Sequence, residues 1–229
     1  MIDSASTLFG QPGAASFDTA SLGLGDYYRA LYSQVRNALR IAEPDSATVG
    51  VTSCVSGEGV STVCQSVAIA AANQLRRPVL LLDAKESSRA PVGATAQAAG
   101  LFDILAGTAQ PADCVRPGTA RDVFVLSAGT PRAGNGCHFP AESFIELLAF
   151  LKKEFAFVLV DLPPCNELTS CLRIAGLLDG VLLVVEAERV RSQVVAHSRD
   201  HLFQAGARLI GVVLNKRRNH VPEWLYRRL

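Results

Sequence analysis

Residues Thr52-Ser-Cys-Val-Ser-Gly-Glu-Gly-Val-Ser-Thr62 decide the fold of this chain, because a strand, a loop and a helix meet there. The segment Ala47–Thr52 is a short run with β-branched residues, which favours a strand. A glycine-containing loop follows over Cys54–Gly59, and the apolar pattern of Val63–Leu75 is typical of a helix. This order predicts an anion-binding nest, because the free amide groups at a helix N-terminus attract phosphate.

The loop departs at two positions from the P-loop pattern G-x-x-x-x-G-K-[ST]. In that pattern, backbone amides cradle the phosphates, the lysine reaches the β- and γ-phosphates, and the Ser or Thr binds Mg²⁺. Here Cys54 stands where the first glycine would be, and Val60 stands where the lysine would be. Because Gly57, Gly59 and Ser61 are kept, the sequence predicts a phosphate-binding shape that lacks the lysine.

Strands and helices alternate along the rest of the chain. Further strands are predicted over Pro78–Asp83, Val123–Leu126, Phe157–Asp161, Val181–Val185 and Leu209–Leu214. Further helices are predicted over Asp26–Ile41, Leu101–Ala106, Ala141–Glu154 and Ser192–Gln204. Apolar strands separated by helices predict an α/β fold with a doubly wound, mainly parallel sheet and helices on both faces.

Length and composition predict one cytoplasmic domain. The chain has 229 residues, of which 49% are hydrophobic and 19% charged, as in globular proteins. Residues 1–22 are rich in small and polar residues without periodicity, which predicts a flexible leader before a single domain over 23–229. The net charge of +1 gives no electrostatic reason to bind nucleic acid. Neither a signal peptide nor a membrane-spanning run is visible.

Two predicted strands end in an aspartate, at the sheet edge where open α/β folds bind ligands. Asp83 ends one strand, and Asp161 ends another within Phe157-Val-Leu-Val-Asp-Leu-Pro-Pro164. Asp161 therefore has the placement of a Walker B carboxylate, which holds a metal-bound water. An aspartate at the end of a strand is commonly only a cap or turn residue, but two of them beside the loop favour a binding site.

Taken together, these segments resemble the cytoplasmic domain of the bacterial tyrosine kinases (BY-kinases) of capsular and exopolysaccharide systems, within the MinD/ParA-type P-loop ATPases. The resemblance runs from about Asp26 to Asn215. It rests on Tyr28-Arg-Ala-Leu31, Val51-Thr-Ser53, Gly57-Glu-Gly59, Leu80–Asp83, Gly100-Leu-Phe-Asp-Ile-Leu-Ala-Gly107, Ser127-Ala-Gly129, Val158–Pro164, Asp179-Gly-Val-Leu-Leu-Val-Val185 and Gly211-Val-Val-Leu-Asn215. The order and spacing of these segments are specific to that family.

The resemblance implies ATP or ADP with Mg²⁺ as the cofactor. Carried over by position, the residues that would bind nucleotide are Gly57, Glu58, Gly59, Ser61 and Thr62, with Asn215 near the adenine. Asp83 and Asp161 would be the catalytic carboxylates, vestigial in this chain, and with Ser61 they would form a weak metal site. The resemblance further implies a membrane polysaccharide co-polymerase or chain-length protein as partner, recruitment to the inner face of the membrane, and self-association.

Four departures from the family pattern predict a degenerate member. Val60 removes a charged contact to the transferring phosphate, and one preorganised donor of this kind is worth about 10²–10³ in rate. Lys85 replaces the second aspartate of the usual D-x-D, and an ammonium beside a metal site weakens Mg²⁺ binding. The tail offers only Tyr226 as an autophosphorylation target. The outer positions of the family's E-x-x-R-x-x-R ring motif are Asp26 and Tyr32.

We therefore expect a pseudokinase that regulates polysaccharide polymerisation and export, with weak or absent nucleotide binding. One alternative is an active ATPase or kinase in which Lys85 reaches the phosphates in place of the loop lysine. Another is a MinD/ParA-like positioning module. The competing role for Lys85 is to pair with Asp83 or Asp161 and fill the metal site. That pairing is favoured because the carboxylates lie nearer than a ligand phosphate.

Overall fold

The computed structural model describes residues 24–40, 46–85, 99–129, 141–167 and 170–217. The helices are α1 (Leu24–Leu39), α2 (Val60–Leu75), α3 (Leu101–Leu105), α4 (Pro111–Cys114), α5 (Ala141–Glu154) and α6 (Ser192–Gln204), with a 3₁₀ helix over Ser170–Leu177. The strands are β1 (Ala47–Ser53), β2 (Val79–Asp83), β3 (Arg116–Pro117), β4 (Val123–Leu126), β5 (Phe157–Asp161), β6 (Gly180–Glu186) and β7 (Leu209–Asn215). The predicted leader over 1–22 and the tail with Tyr226 lie outside the described residues.

The strands form one sheet in the order β3-β4-β2-β5-β1-β6-β7. Neighbouring strands are parallel, except that β3 pairs with β4 in the antiparallel sense. The predicted doubly wound, mainly parallel sheet is confirmed. Strand β3 was not predicted, because two residues are too few to show a period.

Apolar side chains cover both faces of the sheet. Helices α1 and α2 pack on one face, in a cluster that includes Val49, Val67 and Leu159. Helices α3, α5 and α6 and the 3₁₀ helix pack on the other face, in a cluster that includes Phe144 and Val160. All seven residues of β1 are buried, as expected for a central parallel strand.

Helix α1 buries Tyr28, Leu31, Tyr32 and Val35 against the sheet. Tyr32 is 1% exposed, and its ring meets that of Phe157 edge to face with a centroid distance of 5.2 Å. Aromatic pairs in this geometry add to the free energy gained by burial. Tyr32, which stands at the last position of the E-x-x-R-x-x-R ring motif, is therefore a core residue.

The strand register places the carboxyl ends of β1, β2 and β5 side by side at one edge of the sheet. Asp161 pairs with Asp83 on one side and with Val51 on the other. Helix α2 begins at Val60, three residues before its predicted start, and so directly after the loop that follows β1. The two aspartates and the start of α2 therefore share one edge, as the parallel topology predicts.

Within the part of the chain that the structure describes, no helix combines the length and the apolar character needed to cross a bilayer.

Candidate functional site

The loop between β1 and α2 turns through two glycines with left-handed backbone angles. Gly57 has φ 88° and Gly59, the N-cap of α2, has φ 94°. A Cβ added at Gly59 would lie 2.4 Å from the side-chain Nδ2 of Asn215, so any other residue here would displace that amide as well as strain the backbone. The first amides of α2, from Val60 onward, have no acceptor within the helix and give this end the polarity of an anion site.

Glu58 holds the loop from inside the protein. Its side chain is fully buried. One carboxylate oxygen accepts a hydrogen bond from the amide of Val55 (2.8 Å), and the other accepts one from the amide of Glu186 at the end of β6 (2.7 Å). The carboxylate of this predicted nucleotide-binding residue is thus engaged by the backbone, and whether Glu58 also contacts a ligand stays a prediction.

Two residues at the end of β7 hold the loop from its outer side. Asn215 donates its side-chain N–H to the carbonyl of Glu58 (2.8 Å), and Lys216 Nζ donates to the carbonyl of Gly57 (2.7 Å). Lys216 also pairs with Glu186 at 3.1 Å, and Arg189 pairs with the same carboxylate at 2.8 Å. The predicted contact of Asn215 with adenine stays untested, and the structure gives this amide a role in shaping the loop.

Lys85 lies at the centre of the predicted metal site. Its Nζ donates to Asp161 Oδ2 at 2.5 Å and to Ser61 Oγ at 2.7 Å, and it lies 3.9 Å from Asp83 Oδ1. The predicted metal ligands Ser61, Asp83 and Asp161 are therefore brought together, with an ammonium group between them. Asp83 also accepts the backbone amide of Lys85 at 3.0 Å, which is the turn role that an aspartate at a strand end commonly has.

The surroundings of Lys85 favour its charged form. Burial lowers the pKa of this ammonium, but the carboxylates of Asp161 and Asp83 outweigh burial, so the pKa is raised. Burial raises the pKa of Asp161, and the contact with Lys85 offsets part of that rise. Lys85 therefore stays protonated at neutral pH and carries a full positive charge beside the two carboxylates.

These residues do not fit a bound Mg²⁺ ion as they stand. The hydroxyl of Ser61 and Asp161 Oδ2 both accept hydrogen bonds from Lys85. Among the described residues, the buried Asp161 Oδ1 has no hydrogen-bond partner, so this is the one oxygen of Asp161 that Lys85 does not bind. Magnesium prefers six oxygen ligands at short distance, and a neighbouring ammonium repels it.

The start of α2 has no lysine at the position where the P-loop pattern has one. Val60 is 9% exposed and belongs to the apolar cluster under α1 and α2. Thr62 is exposed in the first turn of α2, as is Ser61. Lysine, the residue that reaches the β- and γ-phosphates in the P-loop pattern, is thus replaced by a core side chain.

Sequence reasoning missed the contacts that fasten the loop to β6 and β7. Glu186 ends a buried parallel strand in the same way as Asp83 and Asp161, so the rule that found those two acids also points to it. Lys216 directly follows Asn215, but its bond to the carbonyl of Gly57 depends on the path of the loop. No sequence pattern predicts the path of this loop.

Known proteins with similar sequences carry kinase names. No protein-family model matches the chain. Tyrosine-protein kinase CpsD of Streptococcus agalactiae serotype III is 26% identical over 188 residues, which are 81% of each chain. Tyrosine-protein kinase wzc of Salmonella typhi is 29% identical over 168 residues, which are 72% of this chain and 23% of that longer one.

Solved structures similar to this chain include a kinase domain. The kinase domain of VpsO has a TM-score of 0.69 and 28% identity, and the match covers 85% of this chain and 96% of that domain. The septum site-determining protein MinD of Pyrococcus horikoshii, solved with Mg-ADP, has a TM-score of 0.58 and 20% identity, covering 80% and 76%. The second likeness shows the fold alone.

Proposed function

We propose that this chain, a homologue of the capsule-type bacterial tyrosine kinases, is a catalytically degenerate member that regulates capsular or exopolysaccharide polymerisation and export. The observation that carries the proposal is the position of Lys85, whose ammonium is bound to Ser61 and Asp161 where the family places its metal ion. Kinase names among the relatives support the pathway, and the residues of this site support the loss of chemistry.

Charge is the first reason for the loss. At the predicted metal site, the ammonium of Lys85 faces the two carboxylates of Asp83 and Asp161, so these three groups together are formally negative before any phosphate arrives. A triphosphate needs positive charge at this place, which P-loop proteins supply through their lysine and Mg²⁺. With Val60 in the loop and Lys85 between the metal ligands, neither is provided.

The second reason is the cost of displacing Lys85. A magnesium ion would have to take both Ser61 and Asp161 from an ammonium that is 23% exposed, and leave that ammonium without its nearest partners. Removing one partner from a buried ion pair typically costs about 3–5 kcal/mol. We infer that ATP or ADP with Mg²⁺ binds weakly or not at all, and that Asp83 and Asp161 are vestigial as catalytic groups.

What the loop keeps is its shape. The loop keeps the residues that match the phosphate-binding positions of the P-loop pattern, namely Gly57, Gly59, Ser61 and Thr62. Its shape is held by hydrogen bonds of the Glu58 carboxylate and of the Asn215 side chain. A domain that keeps the family fold without its chemistry is suited to bind the partner protein that an active kinase would bind. The partner we propose is a membrane polysaccharide co-polymerase or chain-length protein, which would recruit this cytoplasmic domain to the inner face of the membrane.

Absence of autophosphorylation is the first test of this function. The purified chain and the chain co-expressed with its co-polymerase should give no ATP-dependent band on an anti-phosphotyrosine blot, because Val60 replaces the loop lysine and the ammonium of Lys85 is committed to Ser61 and Asp161. Calorimetric titration with ATP and with ADP, each with and without Mg²⁺, should show weak binding that Mg²⁺ does not improve.

The kinase CpsD of Streptococcus agalactiae, treated identically, serves as the positive control for the blot. A strong ATP-dependent band from the present chain, or nucleotide binding that depends on Mg²⁺, would overturn the proposed loss of chemistry.

A further inference from the structure

Two histidine rings lie against each other on the surface of α6, far along the chain from the loop and the two strand-end aspartates. His197 and His201 have ring centroids 4.1 Å apart, and their ring planes meet at 54°. Residues four apart lie one turn above each other on the same side of a helix. His197 is exposed and His201 is half-buried, so solvent reaches the pair.

The opposite side of α6 fixes the backbone that carries the pair. Ser198 and Leu202 each follow one of the histidines, and they are 4% and 0% exposed. Leu202 packs in the same apolar cluster as Phe144 and Val160. The spacing of the two histidines is therefore set by a helix that is anchored to the sheet, and it does not depend on the path of a loop.

The ring nitrogens of the pair are available to a ligand. Within the part of the chain that the structure describes, the contact of each ring is with the other ring, and neither ring has a hydrogen bond or an ion pair. The neighbouring carboxylate of Asp200 accepts hydrogen bonds from Nε and Nη2 of Arg199 at 2.9 and 2.7 Å. Asp200 is thus engaged on its own side of the helix and leaves the two imidazoles to act as a pair.

We propose that His197 and His201 together bind one divalent transition-metal ion, Zn²⁺ or an ion of similar preference, across one turn of α6. Imidazole nitrogen is a preferred ligand of Zn²⁺, Ni²⁺ and Cu²⁺, whereas Mg²⁺ takes oxygen ligands. Metal–nitrogen bonds of about 2.0–2.1 Å place two nitrogens on one ion roughly 3 Å apart, which rings at this centroid distance reach by small side-chain rotations. The site is therefore chemically distinct from the oxygen ligands around Asp161.

The number of ligands decides what kind of metal site this is. Over the described ranges, no third His, Cys, Asp or Glu joins the pair to form a cluster of three. Structural zinc sites have four protein ligands. A site with two keeps positions for water, so its ion exchanges with the solution. Because the ion joins two turns of the folded helix, its binding stabilises the folded state.

Calorimetric titration of the metal-free, untagged chain tests the site directly. Zn²⁺ and Ni²⁺ should each bind with one ion per chain that depends on the pair, and Mg²⁺ should not compete. His197→Ala should weaken this binding about a hundredfold, because a single ring loses the effective concentration that the second ring provides. His201→Ala should have the same effect.

A variant with the wrong spacing is the matched control. Arg199→His with His201→Ala keeps two histidines on α6 but places them two residues apart, and side chains at that spacing do not face each other. It should bind as weakly as His197→Ala. Saturating Ni²⁺ should raise the urea midpoint of the wild type and not that of this variant. Since both unfolded chains contain the same number of histidines, the difference reports the folded α6.

His138→Ala with His220→Ala removes the two other histidines of the chain, which lie outside the described residues. This variant should bind Zn²⁺ and Ni²⁺ as tightly as the wild type. Equal loss of affinity here, or unchanged affinity in the spacing variant, would assign the metal to other ligands and overturn the proposal.

Two further results would also overturn the site as proposed. One is a wild-type chain that binds neither Zn²⁺ nor Ni²⁺. The other is one ion for every two chains, with a dimer in light scattering, which would mean that two copies share the ligands. None of these outcomes bears on whether the site around Lys85 has lost its kinase chemistry, because that proposal is tested with nucleotide and Mg²⁺.

Discussion

Lys85 joins three elements of the site through a single side chain. It follows β2, contacts the last residue of β5 and contacts the first turn of α2. A magnesium ion bound to Ser61 and Asp161 would link α2 and β5 in a similar way, through oxygen ligands. The ammonium of Lys85 links the same two elements through its hydrogen bonds.

Removing the ammonium separates the two roles that Lys85 can have. In Lys85→Ala, nucleotide binding should not weaken, because the ammonium is committed to Asp161 and not to phosphate. The free energy of unfolding should fall by about 3 kcal/mol, since the buried Asp161 would lose its partner. Urea unfolding and calorimetric titration with ATP measure the two effects.

Lys152→Ala is the matched control for stability. Lys152 pairs with Asp179 at 2.8 Å, but both side chains are more than a third exposed, so its loss should cost about 1 kcal/mol or less. If Lys85→Ala instead lowers ATP affinity about tenfold or more, a change of roughly 1.4 kcal/mol, Lys85 acts as the missing loop lysine and the degenerate assignment fails.

Restoring the family residues tests the site from the opposite direction. Val60→Lys alone should not restore binding of ATP with Mg²⁺, because Lys85 would still lie between the metal ligands. Val60→Lys with Lys85→Asp should bind ATP with Mg²⁺ at least about tenfold more tightly than the wild type, as one charged hydrogen bond is worth about 1.5–3 kcal/mol. Titrations of both variants, with and without Mg²⁺, check the order of these gains. Equal affinities in the double variant and the wild type would show that the loop itself has lost its function.

At the scale of elements, Asp179 ties β1, α5 and the start of β6 together. Its carboxylate accepts hydrogen bonds from the amide and hydroxyl of Thr48 (2.7 and 2.9 Å) and pairs with Lys152. Burial raises the pKa of Asp179, but the bonds from Lys152 and Thr48 outweigh burial and lower it. A lowered pKa in the folded state means that the carboxylate adds stability above its unfolded pKa of about 3.9 and loses it as the pH falls further.

Asp179→Asn should therefore lower the free energy of unfolding by about 1 kcal/mol at neutral pH, a figure reduced for the partial exposure of the pair. The difference from the wild type should shrink as the pH falls below about 4, where the native carboxylate becomes protonated. Urea unfolding at a series of pH values measures this. A difference that stays constant across the acidic range would show that shape, and not charge, sets the contribution of Asp179.

The elements also show where sequence reasoning succeeds. Strands β2 and β5 are continuous apolar runs that end in an acid, so both the strands and the meeting of Asp83 with Asp161 follow from the pattern. The early start of α2 was missed because Val60 was interpreted as a failed lysine in a loop. Helix α4 and strand β3 are too short to have a period. The inward carboxylate of Glu58 was missed because burial of a charge depends on two amides that come from the folded loop and β6.

For the whole molecule, the surface of α1 decides whether the family ring can form. The ring motif positions are Asp26, Arg29 and Tyr32. Arg29 is paired with Asp26 on the exposed face, and Tyr32 is buried in the core. Tyr32 is therefore not available for a contact between subunits, and Asp26 is a shorter acid than the glutamate of the motif. We expect this chain alone to be a monomer or dimer.

Light scattering coupled to size-exclusion chromatography, over a range of protein concentrations, measures the state directly. A monodisperse octamer would contradict the expectation and would mean that contacts other than the α1 motif build the ring.

The fastening of the loop by Glu58, Asn215 and Lys216 has a consequence for how such a protein can change over time. In this fold the loop is shaped by hydrogen bonds to residues at the ends of β6 and β7. If the proposed loss of chemistry holds, the substitutions at Val60 and Lys85 leave these loop-shaping bonds in place. A lineage that needs the domain only as a docking body is free to lose the reaction and keep the shape, and selection on assembly alone is enough to maintain it.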